Sequence, residues 1–163
     1  MVFIHNKVFP FGSFDLINVL GAVFTKVAPE NLTRIVKRHE QTHSFQQYEL
    51  LAIAGIVSLI FCNVYQSWWY LLGVVTMPFM MYIAAFLLEL FIPPYHNAQL
   101  LWNDKSIPLW QRIKKWVTKV WIDAYSDNCF EREAYMNEKN IHYFATRRFC
   151  GWLWYIIPRK DRK

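Results

Sequence analysis

The chain has 163 residues, 55% of them apolar and 18% aromatic, with 18 basic against 12 acidic side chains for a net charge of +6. The apolar content excludes a disordered chain, and three widely spaced cysteines, Cys62, Cys129 and Cys150, exclude a disulfide framework. The length suits one domain, and the 39 residues from Leu50 to Leu88 contain no Asp, Glu, Lys or Arg, so a membrane or a large partner must cover them.

In chain order, the start MVFIHNKVFPFGSF lacks a basic segment followed by an apolar one and a small-residue cleavage site, so no cleavable signal peptide is expected. Residues 2–12 read as an irregular or extended arm. Residues 14–25, FDLINVLGAVFT, read as a strand pair or one bent strand, whose edge could receive an extended peptide. Pro29 breaks that pattern, and Glu30 or Asn31 can start a helix through LTRIVKRHEQTHSFQQYELL. No internal Pro or Gly interrupts it before Gly55, so it is expected to run on into the apolar stretch.

That stretch divides at Asn63–Ser67. Leu50–Cys62 is 13 residues, which at about 1.5 Å each gives about 20 Å against a hydrocarbon core of about 30 Å. Trp68–Ile92 is 25 residues, or about 37 Å, and is ample. Pro78 lies inside it and Pro93–Pro94 end it. Trp68, Trp69 and Tyr70 at one end, with Tyr95 and Trp102 at the other, fit interfacial belts. The expectation is a membrane hairpin over about 46–92, either spanning the bilayer or dipping in from one leaflet. Residues 107–124 form an amphipathic helix, with Leu109, Ile113, Trp116, Val117, Val120 and Trp121 on one face and the basic residues mostly elsewhere. Such a helix suits either the headgroup plane or the domain core. Residues 128–147 read as a further helix, and the aromatic and basic tail from Phe149 reads as a surface anchor.

The sharpest motif is His39-Glu40-Gln41-Thr42-His43, an HExxH. On a helix, positions i and i+4 share a face, so both imidazoles converge on one point. That suits Zn²⁺, and Glu40 between them can take a proton from an activated water and pass it to a leaving amine. A catalytic zinc site needs a third protein ligand. Position 46 is Gln and position 49 is Glu, so the metzincin pattern is absent. Glu89 and His96 are candidates, as are Glu131 and Glu133 in Phe130-Glu131-Arg132-Glu133-Ala134-Tyr135.

Here the chain resembles the gluzincins, HExxH metallopeptidases whose third ligand is a Glu on a later helix. Several membrane-bound gluzincins carry that Glu as E-x-x-A-D. On this sequence Glu131 takes the Glu position and Ala134 the Ala, while Tyr135 stands where those families have Asp. Glu133 is the alternative ligand. The combination of RHEQTHSFQQYELL, FEREAYMNEKNIHYF and a basic-aromatic end is similar to a family of small bacterial membrane proteins with HExxH. The likeness extends over most of the chain. It implies a zinc peptidase and brings no known substrate.

Asn128 three residues before Glu131 also makes a capping box, which would occupy Glu131 in closing a helix start. Against that, Glu131, Tyr135, Glu138 and His142 lie within about 40° of one helix face. Tyr135 or His142 could then donate a hydrogen bond to an oxyanion. Gln46, on the His39/His43 side, could hydrogen-bond a ligand or substrate, or pack between helices.

The expected fold is therefore mainly α: one zincin-like membrane domain over 1–163, with a helical hairpin in the bilayer and a short strand pair near the N-terminus. The expected function is peptide hydrolysis by a zinc-polarised water, with Glu40 as general base. The expected partners are the lipid bilayer and a membrane-bound or membrane-proximal peptide, not nucleic acid. No G-x-S-x-G, P-loop or dinucleotide fingerprint points to other chemistry. The alternative is a non-proteolytic metal-binding protein or a membrane scaffold. Basic residues flank the hairpin on both sides and are absent from Asn63–Ser67. That places the active site on the cytosolic face of a bacterial inner membrane.

Overall fold

The computed structural model describes residues 1–10, 15–91 and 106–156. The expectations for Tyr95, His96, Trp102 and the basic end beyond residue 156 lie outside those residues. The described chain is mainly helical, with a three-stranded sheet near the N-terminus and two long apolar helices.

Strands β1 (Val2–His5), β2 (Leu16–Val19) and β3 (Ala22–Thr25) pair in the order β1-β3-β2. The strand pair expected at 14–25 is the β2–β3 hairpin, with Val19 opposite Ala22. Its two-residue turn places Leu20 at φ 52° and Gly21 at φ 82°, the type I′ geometry that matches strand twist. The Tyr48 hydroxyl closes over Gly21, and a Cβ there would push that side chain aside. The arm expected at the start is extended over Val2–His5 and joins the sheet. Residues Val2–His5 pair in parallel with β3, which would otherwise present an open edge.

Helix α1 runs unbroken from Arg34 to Tyr65. It starts later than Glu30 or Asn31, because Pro29–Asn31 forms a 3₁₀ turn and the Thr33 side chain caps the helix by accepting from Val36 N at 3.3 Å. It passes through Gly55 without a break and ends at Gln66, which is left-handed at φ 51°. A 3₁₀ turn at Trp68–Leu71 leads into α2 (Leu72–Phe91), which packs back along α1.

The amphipathic segment forms α3 (Leu109–Ser126) and leans on α2, with the Trp121 and Phe86 rings 4.9 Å apart edge to face. The expected helix over 128–147 is two helices instead. These are α4 (Cys129–Asn137) and α5 (Tyr143–Thr146), separated by a turn in which Asn140 Oδ1 accepts from His142 N. Asparagine competes for backbone partners in this way and favours helix ends.

The core lies where α1, α2, α4 and the last turn meet. Leu50, Cys129, Phe130, Cys150 and Trp152 are buried together, with Met81, Tyr82 and Ala85 against them. The Phe130 ring is 4.9 Å from Trp152 and 5.6 Å from Tyr82. Within the aromatic tail Cys150 and Trp152 therefore join the core, while Phe149, Leu153, Trp154 and Ile156 stay exposed. Trp152 on a 3₁₀ turn (Gly151–Tyr155) fills space that α4 leaves beside Leu50.

Candidate metal centre

α1 presents two polar faces in the same three turns. Glu40, Ser44 and Gln47 face the sheet. Asn18 Nδ2 donates to the Glu40 carbonyl at 2.5 Å and to Ser44 Oγ at 3.0 Å, and Gln47 Nε2 donates to the Asn18 carbonyl at 2.9 Å. His39, His43 and Gln46 face α4. The hairpin thus fixes the rotation of α1 about its axis, and that rotation turns both imidazoles toward Glu131.

His39 Nε2 and His43 Nε2 are 3.1 Å apart. Glu131 Oε2 lies 3.4 Å from the first and 3.5 Å from the second. These three residues form a group that could hold a metal ion. Glu131 is free for this role because the N-terminus of α4 is closed without it. Asn128 accepts from Phe130 N at 3.0 Å, while the Asn128 N–H itself goes to the Tyr125 carbonyl at 3.3 Å.

Each ligand candidate is held from behind. His39 Nδ1 lies 3.2 Å from Glu138 Oε2. A carboxylate accepts, so Nδ1 carries a proton, and Nε2 is the nitrogen turned toward His43 and Glu131. His43 Nδ1 lies 2.8 Å from Gln46 Oε1. The second Glu131 oxygen accepts from the Tyr82 hydroxyl at 3.4 Å, and Tyr125 is another hydrogen-bond partner of the same carboxylate. Burial would raise the Glu131 pKa, but hydrogen bonds and charge from His39 and His43 outweigh it and hold the carboxyl well below its usual range. Tyr125 is pushed the other way, by burial first and then by the Glu131 charge, so it keeps its proton.

Glu133 is engaged elsewhere. It is fully buried and accepts from Gln46 Nε2 at 2.7 Å, from the Tyr143 hydroxyl at 2.5 Å and from Arg147 Nε at 2.8 Å. Arg147 also grips Glu49 through two nitrogens, and Glu49 accepts from Cys150 N at 2.9 Å. A Cβ at Gly151 would lie 2.6 Å from Glu133 Oε1, so the chain can pass this close only without a side chain there. Glu89 is likewise occupied, 3.2 Å from Arg132.

Glu40 is 9% exposed, and its charge is felt at His43 and Tyr135 without its joining the three-residue group. The Tyr135 ring centre is 4.5 Å from that of His39, with half the side chain open to solvent. Burial, then the charges of Glu131, Glu138 and Glu40, raises the Tyr135 hydroxyl, which stays a donor. His142 sits exposed at the start of α5. The turn after α4 removes it from the face shared by Glu131, Tyr135 and Glu138.

The supporting roles of Arg147, Tyr143, Glu49 and Tyr125 carried no sequence signal, because they depend on segments up to 98 residues apart. Glu138 did carry one, seven residues after Glu131 on the same helix face. No protein-family model, curated protein or solved structure matches this chain.

Proposed function

We propose that the chain is a membrane-anchored zinc peptidase. The observation that carries the reading is the triangle of His39 Nε2, His43 Nε2 and Glu131 Oε2, with edges of 3.1, 3.4 and 3.5 Å. Ligands of a tetrahedral zinc at about 2.0–2.1 Å stand about 3.3–3.4 Å from one another. The three atoms therefore have the spacing that three ligands of such a site would need. Two neutral imidazoles and one carboxylate are also the donor set of hydrolytic rather than purely structural zinc sites.

When bound, zinc would supply Lewis acidity to a water and to the carbonyl of a scissile amide. The protein's own residues account for the rest. Glu40 flanks the triangle without joining it, so its carboxylate is available as general base. It takes the proton of the attacking water as the new C–O bond forms, and returns that proton to the amine nitrogen as the C–N bond breaks. Tyr135, still protonated, can donate to the oxygen that gathers negative charge. Glu138 and Gln46 hold both imidazoles in the tautomer that leaves Nε2 free. Two helices long and apolar enough to cross a bilayer support the membrane reading, and the basic residues that flank the hairpin and are absent from its turn support a site on the cytosolic side of a bacterial inner membrane.

The test is metal analysis and turnover of purified protein in detergent, with a degenerate quenched peptide library. The reading expects about one zinc per chain, lost in His39→Ala, and hydrolysis abolished by Glu40→Gln while zinc is retained. Equal metal in wild type and His39→Ala removes the site. Turnover undiminished in Glu40→Gln removes the mechanism.

A further inference from the structure

The depth of the metal group follows from the two long helices. α2 is 20 residues long, about 30 Å, the thickness of a hydrocarbon core. Its exposed residues include Val75, Phe79, Met80, Ile83, Leu87 and Leu88, from one end to the other, and none of its most apolar stretch is buried. Going back about 30 Å along α1 from the aromatic end at Tyr65 reaches Phe45, two residues past His43. Beyond Glu40 the single charged residue on α1 is Glu49, which is buried against Arg147. The exposed surface of α1 is thus free of charge from Phe45 onward, with Phe45 at 40% and Tyr48 at 48% exposure.

The site is not held above this layer on a stalk. Tyr82, in the second half of α2, reaches the Glu131 carboxylate, and nine residues of α2, about 13 Å, continue past it. Trp121 of α3 meets Phe86 edge to face in that last part while remaining 58% exposed, as an indole at the lipid boundary does.

We infer that the metal group lies in the outer part of the hydrocarbon layer, between the edge that α1 sets at Phe45 and the depth of Tyr82 on α2, and that its substrate is a membrane-spanning polypeptide cut where its apolar helix meets the interface. The inference rests on the peptidase reading for its chemistry but not for its depth. A soluble peptide must leave water to reach the site. A chain already anchored in the bilayer presents its unwound juxtamembrane residues at that level, at high effective concentration. The backbone there is extended where it leaves the helix, the form that a hydrolytic site must attack.

Two measurements test this separately. The protein lacking Cys62, Cys129 and Cys150 is spin-labelled at Lys37→Cys, Phe45→Cys, Tyr48→Cys or Leu59→Cys, and reconstituted in phosphatidylethanolamine–phosphatidylglycerol vesicles. Collision with oxygen against a water-soluble nickel chelate should place Lys37 in water, Leu59 deep, and Phe45 and Tyr48 at the boundary. Phe45 and Tyr48 as wet as Lys37 would overturn the depth. In the second, the same vesicles carry a quenched degenerate peptide fused to a 20-residue apolar helix, with spacers lengthened in steps of four residues. The cut should stay within about two turns of the helix end whatever the spacer, and the unanchored peptide should be cut at least about tenfold more slowly. A cut that moves with the spacer, or equal cleavage of the unanchored peptide, overturns the substrate class. No cleavage of either peptide by zinc-loaded protein refutes the peptidase reading and the substrate class with it, while the spin-label result still decides the depth.

Discussion

Gln46 is joined to His43 by a 2.8 Å hydrogen bond whose direction is fixed from the other side. The Gln46 amide nitrogen donates to Glu133 Oε2 at 2.7 Å and to the Phe130 carbonyl at 2.9 Å, and both of those are acceptors. Its oxygen must therefore face His43, which must carry its proton on Nδ1. Glu133, held by Arg147 and Tyr143, thus sets through one amide which nitrogen of His43 is turned to His39 and Glu131.

Outer partners of metal-bound histidines are worth about 10–100-fold in affinity. Glu138→Ala, at a partly buried position at the end of α4, is expected to weaken zinc by roughly tenfold with little change in thermal unfolding. Gln46→Leu is expected to weaken zinc more and to lower the unfolding temperature as well, since Glu133 and the Phe130 carbonyl lose a buried donor. Competition with a chromophoric chelator measures both variants. Unchanged affinity in both would show that the tautomers need no support.

The two glutamates of α4 are expected to separate cleanly. Glu131→Ala removes one corner of the triangle and should lose nearly all zinc at micromolar concentration while the chain stays folded. Glu133→Gln keeps the ligands but leaves Arg147 with Glu49 alone. Breaking a buried ion pair costs about 3–5 kcal/mol, so this variant should unfold at a clearly lower temperature and still bind zinc. Zinc loss that follows Glu133 instead would shift the ligand register by two residues.

What was legible in the sequence is what depends on short spacing. His39 and His43 meet because four residues make about one helical turn, whereas Glu131 as their partner was readable only through the resemblance of its E-x-x-A spacing to the gluzincins. The strand pair followed from β-branched residues flanking Leu20-Gly21. The parallel pairing of β1 with β3 was not legible, since nothing local marks which edge an extended arm will cover. Nor was the end of α4 at Asn137. The polar face continues in sequence to His142, but Asn137 Nδ2 turns back to the Glu133 carbonyl at 2.7 Å and Asn140 redirects the backbone. The Glu49–Arg147–Glu133 cluster joins three segments distant in the chain, and charges that read singly as solvated helix residues are buried as a set.

Phe130 links the core to the metal group, since its ring packs on Trp152 and Tyr82 and its neighbour is Glu131. It is 2% exposed. Truncation of such a residue costs about 3–5 kcal/mol. Phe130→Leu is expected to lower the thermal midpoint and to weaken zinc by a few fold, because α4 loses its seat on α2. Loss of stability without any change in zinc affinity would show that α4 is positioned by the Glu133 cluster alone.

Topology is open to a direct test. α1 continues to Tyr65 without a break, so the apolar part between Phe45 and Tyr65 is about 30 Å long and can reach across a bilayer. That favours a full hairpin over a re-entrant one. Its far end exposes Trp68 at 78% and Trp69 at 79%, in keeping with an interfacial aromatic belt. Lys37 and Arg38 lie before the hairpin and Arg112, Lys114, Lys115 and Lys119 after it, while Asn63–Ser67 has no basic residue. On the positive-inside rule the turn is expected outside and the metal group inside. In a background lacking Cys62, Cys129 and Cys150, Ser67→Cys should react with a membrane-impermeant thiol reagent on intact cells, and Ser106→Cys should react only after the cells are opened. Protection of Ser67→Cys in intact cells and its labelling only after disruption would mean that the hairpin does not cross. Labelling of Ser106→Cys in intact cells would invert the arrangement and place the metal group outside.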